Sequence, residues 1–197
     1  MEDVPPLPKK EETLREKTFD QRMLTGWLIC FVAVIQLTFL PTVLPYVFKT
    51  FNIEQTAVIK LAGIVVMLYM TTSMIGTYVW SRLSRRIGQY KMITFLLTLG
   101  VIFQALLAFS HGITDFAVIR MLQTGMVAAT FPLTISLFAG ESKGGVIGLL
   151  NSARFAGNAM GPMIATSILA YSNLTTLHFS IAGITLLALL GFRTFFK

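Results

Sequence analysis

Apolar stretches of membrane-spanning length recur about six times along this chain, separated only by short polar loops. In lipid every backbone donor and acceptor has to be satisfied within the protein, so such a rhythm folds as a bundle of transmembrane helices. Residues 24–48, 61–81 and 92–110 carry no charge, and residues 116–140 and 144–171 have the same reach but contain Arg120 and Arg154. Residues 175–192 make a shorter last span. The expected fold class is therefore an all-α membrane protein with six transmembrane helices over residues 24–197, preceded by a cytoplasmic segment over 1–23. Prolines 41, 45, 132 and 162 would break soluble helices. In a bundle, neighbouring helices and water re-satisfy the carbonyls they free.

Basic residues set the orientation. Lys9, Lys10, Arg15, Lys17 and Arg22 precede the first span; Arg82, Arg85, Arg86 and Lys91 fill the second loop; Lys143, Arg193 and Lys197 follow later spans. The alternate loops hold only Lys49 and Lys60. The positive-inside rule then makes both termini and the second and fourth loops cytoplasmic, in what is expected to be a bacterial inner membrane. The net charge of +7 is in this light a topogenic signal with anionic-lipid contact, and no nucleic-acid partner is expected.

The segment before the first span opens with Pro5, Pro6 and Pro8 and continues with mixed charge from Glu11 to Arg22. It lacks the apolar region of a signal peptide. The single cysteine, Cys30, lies inside a span, so there is no disulfide framework.

Arg154 is the sharpest single feature. It lies about ten residues into the fifth span, roughly 15 Å along a helix, near the bilayer middle where a charge is costly and snorkelling is hard. Asn151 and Asn158, at i−3 and i+4, share its face and complete a polar stripe. Such a stripe faces protein or water: either a solvated cavity for a polar or anionic ligand, or an arginine tied to backbone carbonyls. Arg120 sits nearer the outer end of the fourth span with Gln123 at i+3, as a cavity residue or an interfacial anchor.

All nine acidic residues fall in the N-terminal segment or near loops, such as Glu54, Asp115 and Glu141. The two histidines, His111 and His178, lie near the outer ends of spans, so the sequence offers no intramembrane proton relay. Two arginines without a deep carboxylate want a partner from elsewhere. Gly140 to Gly144, with Ser142, has the spacing of a nucleophile elbow but neither its strand-turn-helix context nor a histidine on the same side of the membrane. Asn173 to Thr175 is a sequon on a very short loop. No metal-ligand cluster, nucleotide loop or catalytic dyad is present, so neither enzyme activity nor a cofactor is expected. Gly157, Gly161 and Pro162 form a small-xxx-small pattern with a kinking proline, which marks close helix packing.

Taken in order, these motifs resemble one six-helix half of a major facilitator superfamily transporter, of the drug and metabolite efflux type, from about residue 24 onward. Pro41 and Pro45 resemble the proline-bearing end of the first helix of a half. Ser81 to Lys91 resembles the loop motif between the second and third helices, with Arg86, Gly88 and Lys91 matching. Arg120, Gln123 and Gly125 resemble the fourth-helix motif, and Gly157 to Pro162 the fifth-helix motif associated with antiporters. Ser81 stands where the loop motif opens with glycine, and Arg85 where it has the aspartate of a cytoplasmic gate network. Together with Arg154 ahead of the glycine motif, these departures make the chain more similar to a C-terminal half than to an N-terminal one.

The halves of that superfamily are parallel repeats about an axis along the membrane normal, each built from two inverted triplets of helices. The resemblance thus implies a half-size transporter that pairs with a second six-helix half, as a homodimer or with a separate half. The two bundles would rock about a midplane site for a small molecule, lined by Arg154, Asn151, Asn158, Arg120 and Gln123. Arg86, Gly88, Gly157, Gly161 and Pro162 would serve gating and packing. Two other readings stay open: a non-transporting membrane subunit or scaffold, and a fragment of a longer, twelve-helix transporter.

Overall fold

The computed structural model describes residues 9–139 and 145–195. In chain order the helices are α1 (Lys9–Thr38), α2 (Leu40–Thr50), α3 (Gln55–Ile87), α4 (Gln89–Leu106) with a 3-10 turn (Leu107–Phe109), α5 (Ile113–Val127), α6 (Thr130–Ala139), α7 (Gly145–Tyr171) and α8 (Leu174–Phe195). The proline-bearing start, the segment with Ser142 and Lys143, and Lys197 lie outside the described residues. The division expected between residues 23 and 24 falls within the continuous helix α1.

Five segments are both long and apolar enough to cross a membrane: Gln21–Thr38, Thr56–Ile87, Gln89–Phe109, Ile113–Phe138 and Leu174–Phe195. The sixth crossing is α7, whose 27 residues reach about 40 Å at 1.5 Å per residue. Asn151, Arg154 and Asn158 lower its hydropathy, but it packs along the length of α1. The protein is an integral membrane protein.

Two spans expected as single helices are broken. The first breaks at Phe39, and Pro41 then sits in the first turn of α2, where its fixed φ suits the start of a helix. The fourth breaks at residues 128–129, with Pro132 in the first turn of α6. Pro45 and Pro162, by contrast, stay inside α2 and α7.

This likeness between the first and fourth spans extends to packing. The most extensive pairings are α1 with α7 and α3 with α5. Inverting one triplet of spans onto the other exchanges these two pairs, so the bundle consists of two inverted three-helix repeats. Each pair crosses on glycine. A β-carbon on Gly157 would come within 2.9 Å of Val34 Cβ and 3.0 Å of the Phe31 carbonyl oxygen, and one on Gly161 within 2.8 Å of Thr38 Oγ1. At the other crossing a β-carbon on Gly76 would overlap the Gly125 carbonyl, which also accepts a hydrogen bond from Trp80 Nε1 at 3.0 Å. A side chain can rotate away but this carbonyl belongs to the α5 backbone, so Gly76→Ala is expected to destabilise the bundle by about 1–3 kcal/mol. Thermal unfolding in detergent checks this; unchanged stability would mean that α3 and α5 separate without cost.

Candidate functional site

Among the described residues three apolar clusters fill the bundle: a small one around Cys30, Phe138, Val146 and Leu150, and two larger ones at opposite ends. One, away from the termini, gathers Phe39, Leu44, Phe48, Leu107, Phe116 and Ile181; the other, toward the termini, gathers Val32, Leu97, Ala129, Leu133, Ala188 and Phe192. Between them the chain places one polar residue per helix at a common depth: Gln36 on α1, Gln104 on α4, Gln123 on α5 and Thr185 on α8, each 0–1% exposed.

Arg120 is fully buried beside this layer. Its guanidinium lies 5.1 Å from the ring centres of both Phe39 and Tyr69, and Nη1 donates to Gln123 Oε1 at 2.5 Å. Nη2 donates to the Leu37 carbonyl at 3.2 Å. That carbonyl would ordinarily accept from residue 41, but Pro41 has no N–H to give. The proline frees an acceptor at mid-membrane and the arginine of another helix takes it up.

Because an arginine only donates, it sets the direction of everything bonded to it. Gln123 accepts at Oε1, so its Nε2 donates to Gln36 Oε1 at 3.2 Å and to Gln104 Oε1. Gln36 then donates from Nε2 to Thr185 Oγ1 at 2.6 Å, and that hydroxyl donates to the Ile181 carbonyl at 2.8 Å. On the other branch Gln104 Nε2 stands 3.0 Å from His178 Nδ1. His178 is 1% exposed and packs between the rings of Phe39 and Phe116, at 6.1 and 6.3 Å. Four helices are thus tied by one polarised chain of hydrogen bonds.

The second polar feature lies elsewhere. Val146, Leu150, Ala153, Gly157 and Gly161 form the buried face of α7, whereas Arg154 and Asn158 are exposed and Asn151 is half-buried. Arg154 sits 5.4 Å over the ring of Phe131 on α6. One polar tie joins α7 to α1 nearby, from Trp27 Nε1 to Ser152 Oγ at 3.0 Å. The stripe lies on the outside of this bundle, so whatever covers or solvates it comes from beyond these helices.

The structure therefore divides the residues read from the sequence as one site. Arg154, Asn151 and Asn158 share an open face, while Arg120 and Gln123 are shut inside. Neither a place on that face nor an anchorage at the headgroups describes Arg120; the carbonyl-tied arginine considered for Arg154 is realised at Arg120 instead. Gly157 and Gly161 carry the α1–α7 crossing. Arg85 and Arg86 are exposed at the end of α3, where Gly88 has φ +95°, a left-handed conformation that favours glycine. His178 also departs from its sequence reading: four residues into its helix, it is buried and joined to the polar layer. Gln36 and Gln104 carry a signal in the sequence, each a lone amide in an otherwise apolar, charge-free span, whereas nothing in the sequence marks Thr185. Among the described residues no group of three or more His, Cys, Asp or Glu converges as a metal site.

Comparison with known proteins agrees with this architecture. A staphyloferrin B transporter of Staphylococcus aureus is 29% identical over 163 residues, which make up 81% of this chain and 39% of that protein. The chain thus spans well under half the length of that relative. The family model of the major facilitator superfamily matches residues 26–197, taking in both glycine crossings, the polar layer and the α7 stripe. A helical membrane bundle of two inverted triplets that matches this model over most of its length belongs to the major facilitator superfamily.

Proposed function

We propose that this bundle is one half of a transporter for a small polar or anionic molecule, working by alternating access against a second six-helix half. That half comes from another copy of the chain, a separate chain or the remainder of a longer one. One observation carries the reading: α7 presents a guanidinium and two amides, Arg154, Asn151 and Asn158, on the open side of a helix of spanning length. Such groups are too costly to leave against lipid tails. A second bundle facing α7 encloses them, and between two halves they line the pathway. The S. aureus relative is named for staphyloferrin B, which makes that compound the first cargo to try. Efflux by exchange is the direction suggested by the likeness of Gly157 to Pro162 to the antiporter motif.

The test is flux in liposomes, together with cysteine cross-linking from position 158 in a Cys30→Ser background. Cross-links at position 158 and cargo-dependent flux are the expected results. Monomers at high protein-to-lipid ratio, with no flux for any cargo tried, would refute the paired transporter. They would favour a non-transporting membrane subunit, for which the observation is Arg85, a base exposed where the family's loop motif has its gate aspartate.

The same cysteine-free background tests orientation. Both termini and the loop holding Arg82 and Lys91 are expected to label from the cytoplasmic side only; labelling of the loop from outside would invert the topology.

A further inference from the structure

The polar layer has only one self-consistent arrangement, and it ends on a titratable group. Arg120 must donate to Gln123, so Gln123 must donate to Gln104, and Gln104 must turn its own N–H toward His178. His178 Nδ1 therefore has to be a bare acceptor nitrogen, with the ring proton of the neutral imidazole on Nε2. A proton at Nδ1 sets donor against donor. Flipping the Gln104 amide would only pass the conflict to Gln123, and flipping Gln123 would pass it to Arg120, which has no acceptor to offer. The bond between Gln104 and His178 holds with Nδ1 bare and cannot hold with it protonated, whereas the bonds among Arg120, Gln123, Gln36 and Thr185 do not depend on the ring.

A route for the proton is also present. His178 lines a cavity of about 410 Å³ at the end of the bundle away from the termini, together with Tyr46, His111, Phe116 and Asn173. Protonation adds a second positive charge to a cluster that already holds Arg120. The other titratable or charged groups on that side are Tyr69 on α3, Tyr46 on α2, His111, and four exposed groups: Lys49 at the end of α2, Glu54 and Lys60 at the start of α3, and Asp115 in the first turn of α5. Tyr90 and Lys91 of α4, and Arg22 and Cys30 of α1, lie in the half toward the termini, while Arg154 and Tyr171 of α7 are exposed.

We propose that His178 is a proton-binding site filled from this cavity, and that taking up a proton at Nδ1 breaks the bond to Gln104, the tie between α8 and α4 at the end of the polar chain that runs through Gln123 to Arg120. This deepens the transport reading, on which its use as a coupling device rests: a proton arriving at one end of the bundle unties α8 from α4 at the edge of the polar layer, while Gln36 still holds Thr185 of α8. The proton comes from water in the cavity, and nothing else is consumed.

The test follows ¹⁵N-histidine spectra of the full chain in nanodiscs as pH is lowered, in a His111→Gln background that leaves one histidine. A second readout is the emission of Trp80, whose Nε1 is bonded to Gly125 O, two residues beyond Gln123. Trp27→Phe makes it the sole tryptophan. At neutral pH His178 is expected to show an unprotonated Nδ1, and its titration and the change in Trp80 emission should share one midpoint. His178→Asn keeps an acceptor where Nδ1 stands but cannot titrate, so it should fold and lose the pH response of Trp80. A protonated Nδ1 in the neutral ring would overturn the proposal, as would titration of His178 without a response at Trp80, or an unchanged response in His178→Asn. None of these readouts needs a cargo, so absence of flux alone would count against the transport reading and not against the proton site.

Discussion

Arg154→Ala is expected to abolish cargo binding and transport while insertion and folding stay intact. The geometry separates the two effects. Inside the bundle Arg154 makes a single described contact, 5.4 Å over the Phe131 ring, and its side chain is exposed. An exposed cation–π pair is worth about 0.5–1 kcal/mol, too little to decide whether a six-span protein folds. A guanidinium near mid-membrane with no carboxylate on its own helix instead draws its partner from outside the bundle. Arg154→Lys is expected to recover part of the activity, because the charge returns but the planar fork that grips a carboxylate or phosphate at two points does not. Flux in liposomes with the second half present, set beside thermal unfolding of the same samples, checks both substitutions. If the alanine variant inserts poorly while the surviving protein binds cargo normally, Arg154 is a structural tie and the site has been misplaced.

Arg120→Leu should show the opposite pattern, with folding as the first casualty. Removing a buried charge can itself be neutral or favourable when both partners go. Here the partners stay: the Leu37 carbonyl, which Pro41 cannot serve, and Gln123 Oε1. Leaving two buried acceptors unpaired costs about 2–4 kcal/mol, which outweighs the relief of burying no charge. The assignment carries its own control. Pro41→Ala restores an N–H that can reach Leu37, so Arg120→Leu with Pro41→Ala is expected to recover a measurable part of the lost stability. Unfolding midpoints of the single and double variants decide the matter. No recovery would mean that Arg120 does not stand in for the missing proline donor.

The two arginines also show where reading the sequence stops. That the chain is a bundle of membrane helices was legible, because only helices satisfy their own backbone in lipid and apolar runs of that length have little else to become. The resemblance carried by Arg120, Gln123, Gly157 and Pro162 pointed to the family. The depth of Arg154 and the polar stripe beside it could likewise be counted off along the chain. Which way a residue points around its helix axis could not. In a soluble helix an apolar stripe marks the core, but here the lipid side and the protein side are both apolar, so periodicity does not tell them apart. Arg120 and Arg154 look alike in the sequence, each a lone base in an apolar run. Only the crossings at Gly76 and Gly125, and at Gly157 and Gly161, turn the first inward and leave the second outside. The same crossings carry Gln36, Gln104, Gln123 and His178 from four separate spans to one layer. That meeting depends on the relative rotation and shift of helices far apart in the chain, which local sequence does not encode and close packing of the bundle decides.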